Sequence, residues 1–305
     1  MTDYPITGID VSRWQKEIQW ENALAQGISF AFIKASDGYL ADSRNIAALI
    51  DPQYERNMQE TSKLGIPRGI YHFLRPGQNW KKQVELFSNL VNRSGIELDA
   101  IVDIERHDDI NKYDLANIVE KFIKHTEDSI GRQLMIYTSA GFWNQYMPIT
   151  GWAKHRRLWI ASWTKGPQPT LPYEWEKPGK PWTFWQWSAK NQLGGSYGVA
   201  TKSVDLNRFF GSQTDFFDMY KLSVLPIQID QPTQDSTNGV IFEVIVPALH
   251  VFTTPDVNSA IVSDLELGDR ITPTDIMGTD EVWLQIEPGK WVLFTYNGQK
   301  LMTRC

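Results

Sequence analysis

The chain has 305 residues, 42% hydrophobic and 22% charged, with a formal net charge of −6. Such a composition fits a soluble globular protein with room for one large domain and one small one. The charge is uneven: residues 230–305 hold four basic against eleven acidic residues, net −7, and the rest is net +1, which argues against nucleic acid or an anionic membrane as partner. No apolar run reaches membrane-spanning length. Met1-Thr2-Asp3-Tyr4-Pro5 lacks the basic segment and apolar core of a signal peptide, and the single Cys305 leaves no intramolecular disulfide. We therefore expect no membrane insertion, no export signal and a monomer.

In chain order, short β-rich apolar runs appear at Ile6–Val11, Ser29–Lys34, Gly69–Phe73, Ala100–Glu105, Leu134–Thr138, Leu158–Ser162, Thr183–Trp187 and Ser203–Leu206. Helical patterns separate the early ones: Trp20–Gln26, Pro52–Leu64 with Asp51 as its N-cap, Trp80–Asn92 and Tyr113–Ile130. This alternation predicts a parallel sheet covered by helices. After Thr138 it weakens, and Thr164–Pro181, rich in Pro, Gly and Lys, reads as a long loop. Eight strands with too few helices predict an irregular, TIM-like β/α barrel. Ser223–Gly239 reads as a linker, and residues 240–305, short strands broken by Pro, Gly, Asp and Asn, as a small all-β module. The domains are thus 1–222, a linker 223–239, and 240–305.

The chemistry points to Asp103-Ile104-Glu105. Residues i and i+2 of a strand share a face, and two crowded carboxyls cannot both ionise cheaply, so one keeps its proton. Glycoside hydrolysis needs such a pair, an acid for the leaving oxygen and a carboxylate that steadies a cationic sugar. In β/α barrels the site lies at the C-terminal strand ends. Asp10, Asp37, His72, Glu105, Tyr137, Trp163, Trp187 and Asp205 fall at or just beyond such ends, and closure of the barrel sets Asp10 beside Asp205. Eleven of the thirteen tryptophans lie between Trp14 and Trp187, and indoles serve both as core and as stacking platforms for sugars. His72 and His107 show no metal-ligand spacing, and neither metal nor cofactor is expected.

Gly8-Ile9-Asp10-Val11-Ser12-Arg13-Trp14-Gln15, Phe32-Ile33-Lys34-Ala35-Ser36-Asp37-Gly38, Gly69-Ile70-Tyr71-His72-Phe73, Val102-Asp103-Ile104-Glu105, Ile136-Tyr137-Thr138, Leu158-Trp159-Ile160-Ala161, Phe184-Trp185-Gln186-Trp187-Ser188 and Val204-Asp205-Leu206-Asn207-Arg208-Phe209 together resemble glycoside hydrolase family 25, the Chalaropsis-type lysozymes or N-acetylmuramidases. The resemblance covers about residues 5–215. It implies an irregular barrel and cleavage of the β-1,4 bond between N-acetylmuramic acid and N-acetylglucosamine in bacterial peptidoglycan. It departs at Ser36-Asp37-Gly38, where the family usually carries Thr-Glu-Gly. The tail, with Val246–Phe252, Leu267–Ile271, Val282–Ile286 and Lys290–Val292, is similar to bacterial SH3-like wall-binding modules, although His250-Val251-Phe252 stands where these often carry Asn-Val-Arg.

On this reading Glu105 is the general acid. Asp103 either attacks the anomeric carbon or orients the substrate's own N-acetyl group as internal nucleophile. Asp10 and Asp205 hold substrate or tune the pair. Tyr71 and Tyr137 are hydrogen-bond donors, Trp163, Trp185 and Trp187 stacking platforms, and Asp37 and His72 further substrate contacts. The rivals are a chitinase-like hydrolase of another N-acetyl-hexosamine polymer and an inactive sugar-binding protein. A wall hydrolase without an export signal must leave the cytoplasm by release, as phage endolysins do, or through a secretion or injection system.

Overall fold

Eight strands close into a barrel in sequence order: β1 (Thr7–Val11), β2 (Phe30–Asp37), β3 (Arg68–Phe73), β4 (Ala100–Asp103), β5 (Met135–Ser139), β6 (Leu158–Ala161), β7 (Phe184–Ser188) and β8 (Asp205–Phe209). The computed structural model describes residues 4–39, 49–164, 166–176, 181–222, 241–277, 282–296 and 299–304. The linker expected at 223–239, and residues 165 and 177–180 of the expected loop, lie outside them. The chain divides into two compact units, Met1–Ser223 and Val224–Cys305.

The strands read as nearly continuous apolar runs because both faces are buried. In β2, Phe30 and Phe32 point inward, where they pack with Ile101, Met135, Trp159, Phe184 and Phe209. Ala31, Ile33 and Ala35 point outward into the layer shared with the helices. Gly8 and Gly69 leave room for those phenyl rings: a Cβ on Gly8 would meet the Phe30 carbonyl at 2.5 Å, and one on Gly69 the Asp99 carbonyl at 2.6 Å.

Among the described residues, five α-helices lie between the first six strands: α1 (Trp20–Ala25), α2 (Tyr54–Lys63), α3 (Trp80–Ser94), α4 (Lys112–Ile130) and α5 (Ala140–Tyr146). A sixth, α6 (Gln213–Tyr220), follows β8 and sets Phe216 against the inner core. Asn79 and Asn111 cap α3 and α4, their side chains accepting first-turn N–H groups, and left-handed Gly95 and Gly131 end them. The expected N-cap of α2 is corrected. The helix begins at Tyr54, while Asp51 accepts from the Gln53 and Arg13 N–H groups at 2.9 Å each and so ties the start of α2 to the loop after β1. Helix α5, only two turns long, carries too little periodicity to stand out in the sequence.

Two features make the barrel irregular. Between β6 and β7 the described residues hold one 3-10 turn, Tyr173–Trp175, and between β7 and β8 no helix. Strand β8 also runs against both neighbours, whereas β1 to β7 are parallel throughout. The strand expected at Ser203–Leu206 is therefore shifted to Asp205–Phe209 and reversed. Among the described residues no helix is long and apolar enough to cross a membrane.

The second unit is all β. A five-stranded antiparallel sheet has the order β11 (Ile261–Glu266), β10 (Ala248–Phe252), β15 (Lys290–Leu293), β14 (Trp283–Glu287) and β13 (Asp275–Met277). A three-stranded sheet joins β12 (Arg270–Ile271), β9 (Phe242–Val244) and β18 (Met302–Arg304), and β16 (Thr295–Tyr296) pairs with β17 (Gln299–Lys300). Phe242, Val244, Leu249, Val251, Leu284, Val292 and Met302 form its core.

Candidate active site

Parallel strands deliver their C-terminal ends to one mouth of the barrel, and the reversed β8 delivers its start to the same place. Asp205 was expected there as a strand terminus; it arrives as a strand origin, and Asp10 and Asp205 are direct partners in the β1–β8 register. Asp103 closes β4 and is buried, and Glu105 lies two residues beyond, exposed. The expected strand through Glu105 is thus two residues too long. Strand β5 extends the pairing instead: Ile104 donates its N–H to the Tyr137 carbonyl at 2.9 Å, and Thr138 Oγ1 donates to the Ile104 carbonyl at 2.8 Å. Ile104 is buried in the outer layer, so alternation carries past the strand end and turns Glu105 to the side of Asp103.

Four carboxyls crowd this mouth, and each is less acidic than usual. Burial holds Asp103 well above the ordinary carboxylate range, the Glu105 charge adds to it, and Lys34 pulls against it. Glu105 is raised by desolvation on its protein side, with Lys34 opposing and Asp10 adding. Burial pushes Asp205 up to about 8, reinforced by Asp10 and Glu105. Asp10 is pushed up to about 6, where burial outweighs hydrogen bonds from Asn207 and Gln186. Asp103 Oδ1 is buried with no hydrogen-bond partner among the described residues. It shares that condition with side chains of the core such as Thr126 and Trp182, and differs from them in standing among charged groups at the barrel mouth. Chemically, the mouth can donate a proton at neutral pH and can hold a carboxylate against a developing cation.

The other expected site residues divide into three groups. Tyr71, Tyr137 and Trp163 stand at the mouth: the two phenols sit in the inner layer against Trp159, at ring distances of 6.1 and 4.3 Å, and Trp163 is 62% exposed. Asp37 also reaches it, because a bulge between Lys34 and Ser36 inserts one residue and flips the parity of the strand end. Its carboxylate is engaged, however, by Lys34 Nζ at 2.8 Å and Arg75 Nε at 2.7 Å. Burial would raise its pKa, but these partners hold it below the ordinary value. It therefore presents a paired cation cluster, with Lys34 and Arg75 both over the Phe73 ring, rather than a free acid.

His72, Trp185 and Trp187 are not at the mouth. His72 is fully buried outside the barrel, hydrogen-bonded to Ser36 at 2.8 Å and Gln83 at 3.0 Å and packed on Phe87 and Phe122. Burial pushes it down to about 4, so it is a neutral core side chain. Trp185 and Trp187 point outward: Trp185 donates to the Ser162 carbonyl at 2.7 Å, and Trp187 lies 4.2 Å from the Arg208 guanidinium. The inward residue between them is Gln186, and its counterpart on β8 is Asn207. Both hydrogen-bond Asp10, at 2.9 and 2.8 Å. Sequence reading missed Gln186, Asn207, Lys34 and Arg75. The signal was parity, since Asp205 inward implies Asn207 inward, and Phe184 inward implies Gln186. Among the described residues no group of three His, Cys, Asp or Glu side chains is placed to hold a metal ion.

Comparison with known proteins meets this geometry from another side. Lysozyme M1 of Streptomyces globisporus is 32% identical over 219 residues, 68% of either chain. An N,O-diacetylmuramidase of Arthroderma benhamiae is 29% identical over 67% of this chain and 86% of its own. The crystal structure of the bacterial lysozyme from Streptomyces coelicolor superposes with a TM-score of 0.60 at 29% identity, covering 72% of this chain and 98% of that one. The sequence pattern of glycosyl hydrolases family 25 runs through residues 9–196 and so spans strands β1 to β7 and the Asp103–Glu105 pair. The chain belongs to glycosyl hydrolases family 25.

Proposed function

We propose that the protein is a peptidoglycan hydrolase, a lysozyme that cleaves the β-1,4 bond between N-acetylmuramic acid and N-acetylglucosamine. The observation that carries this reading is the Asp103–Glu105 pair, both carboxyls raised, at the mouth of a family 25 barrel. Glu105, exposed and with its pKa raised by desolvation, is the general acid that protonates the leaving oxygen. Asp103 then has two routes open to it, attack on the anomeric carbon or orientation of the substrate's 2-acetamido group as internal nucleophile. Its burial and its unpartnered Oδ1 favour the second, because an acceptor held in a dry recess suits an acetamide N–H. Asp10 and Asp205 tune the pair, Tyr71 and Tyr137 face the reacting sugar, and Trp163 is a stacking platform. The Lys34–Asp37–Arg75 cluster sets the charge balance of the mouth.

The all-β second unit is read as an SH3-like module that holds the enzyme to the wall. The chain acts as a monomer and reaches its substrate after release from the cytoplasm, as an endolysin does, or by delivery through an injection apparatus. Expression with and without a membrane-permeabilising protein tests the route: lysis only on permeabilisation supports it, and lysis without it overturns it.

The reaction is tested on purified peptidoglycan by borohydride reduction of the products and mass spectrometry. Reduced N-acetylmuramic acid is expected. Reduced N-acetylglucosamine, or release from chitin with intact peptidoglycan, would replace this reading with that of another N-acetyl-hexosamine hydrolase. Binding without cleavage would leave a lectin.

A further inference from the structure

Gln186 sits between two outward tryptophans but faces inward and is 4% exposed. Its amide makes three hydrogen bonds. Oε1 accepts from Tyr137 Oη at 3.0 Å and from Trp163 Nε1 at 3.2 Å, and Nε2 donates to Asp10 Oδ2 at 2.9 Å. The polarity of this chain is forced. An indole N–H can only donate, so the atom that faces Trp163 must be the carbonyl oxygen, and the NH2 must turn to Asp10. Asn207 is locked in the same way: Trp159 Nε1 donates to its Oδ1 at 2.7 Å, which leaves Nδ2 to donate to the same Asp10 Oδ2 at 2.8 Å. Two tryptophans thus orient two amides, and both amides aim at one carboxylate oxygen.

An oxygen that already accepts two N–H groups is poorly placed to carry a proton. The neighbour that faces Asp10 across the β1–β8 register is Asp205. Trp163 meanwhile projects to solvent, and its one polar atom is the nitrogen that Gln186 holds.

We propose that Gln186 is a positioning residue that serves both halves of the site: it tethers the Trp163 ring as a platform for the saccharide, and it keeps Asp10 an acceptor so that the proton of the Asp10–Asp205 pair resides on Asp205. The platform half rests on the wall-saccharide reading; the Asp10 half does not. The titrating groups that face Asp10 are Asp205 of β8, Asp103 and Glu105 at the end of β4, Tyr71 of β3 and Tyr137 of β5, with Lys34 of β2 acting on the β4 pair.

The test compares Gln186→Glu, Gln186→Met and Trp163→Phe in the full chain, by kinetics on purified walls and by carbon-13 NMR titration of the Asp10 carboxyl. Gln186→Glu keeps the acceptor for Trp163 and Tyr137 and loses the donor to Asp10. It is expected to hold KM within about twofold, to lower kcat about tenfold and to move the Asp10 midpoint upward by about one pH unit. Gln186→Met loses both arms, so KM rises several-fold as well. Trp163→Phe, at an exposed position, keeps the ring and loses the N–H; KM is expected to rise several-fold with the Asp10 midpoint unmoved. An Asp10 midpoint unchanged in the neutral Gln186→Met variant overturns the proposal, as does an unchanged KM in Trp163→Phe. A wild type that cleaves no wall would sink the lysozyme reading instead, and the NMR midpoint would still decide the Asp10 half.

Discussion

Two aspartates four residues apart, Asp99 and Asp103, bracket β4, and the protein treats them in opposite ways. Both are buried, and burial raises the pKa of each. At the closed end of the barrel Asp99 is compensated: Arg157 ion-pairs with it, and Tyr220 of α6 donates to it at 2.6 Å. At the mouth Asp103 faces the like charge of Glu105, and one of its oxygens has no hydrogen-bond partner among the described residues. A fold satisfies a buried carboxylate wherever stability is the only demand. The contrast fits the chemical role proposed for Asp103, and Asp99 ties α6 to the start of β4.

Substitution at the two positions should therefore separate function from stability. Asp103→Asn is expected to cut wall cleavage by about 10²–10⁴-fold while leaving the unfolding free energy within about 1 kcal/mol of wild type, or above it. Asp99→Ala is expected to do the reverse. Loss of the carboxylate strands Arg157 and the Tyr220 hydroxyl, at a cost of about 2–4 kcal/mol in urea unfolding, with cleavage per folded molecule retained. Equal stability losses at both sites would erase the distinction.

The pH dependence of stability sharpens it further. Asp10 and Asp205 keep protons in the folded chain up to about pH 6 and about pH 8, against 3.8 for an ordinary carboxyl. A raised carboxyl pKa stabilises the fold fully below about pH 4, and that contribution fades as the pH climbs through the folded value. The melting temperature should thus fall between pH 5 and pH 8, and Asp205→Asn should flatten the decline. Asp37 has the opposite sign: held low by Arg75 and Lys34, it stabilises the fold above the ordinary carboxyl pKa and loses that effect as acid protonates it. A melting temperature that rises from pH 5 to pH 8 would contradict the crowding at the mouth. The smallest effect is expected at Trp187, which packs outside the barrel against Arg208. Trp187→Phe should change KM by less than about twofold, and a several-fold rise would return it to the cleft.

Much of the barrel is legible in the chain because strands buried on both faces write themselves as apolar runs bounded by Gly, Pro and Asp. Six of the eight strands begin and end within two residues of where composition puts them, β2 and β8 each running three residues further, and the Asp10–Asp205 pairing follows from closure alone. What escaped reading was direction and parity. Strand β8 is as long as β1 or β7, but period-2 alternation carries no direction and the segment before it is irregular, so its reversal does not show. In Trp185-Gln186-Trp187 the large rings suggest the cleft, yet period-2 alternation gives the mouth to the amide between them. His72 illustrates the same error: its neighbours Tyr71 and Phe73 face inward, so the imidazole faces out into a layer of Phe87 and Phe122. Tryptophan richness misled in the same direction. Trp20, Trp143, Trp159, Trp175, Trp182 and Trp185 are core, whereas Trp14 and Trp163 are the ones largely exposed. The bulge at Ala35, which swings Asp37 into the mouth, leaves no mark in the residue pattern at all.

The proposed mechanism stands or falls on Glu105, the carboxyl presented just beyond β4, as the proton donor. Glu105→Gln keeps the shape of that side chain and removes its proton, so release of reducing ends from purified peptidoglycan should be compared for wild type and variant at matched folded concentration. A fall of about 10²-fold or more with an unchanged unfolding curve is expected. Activity within about twofold of wild type would rule out Glu105 as the acid and move that role to another of the four carboxyls.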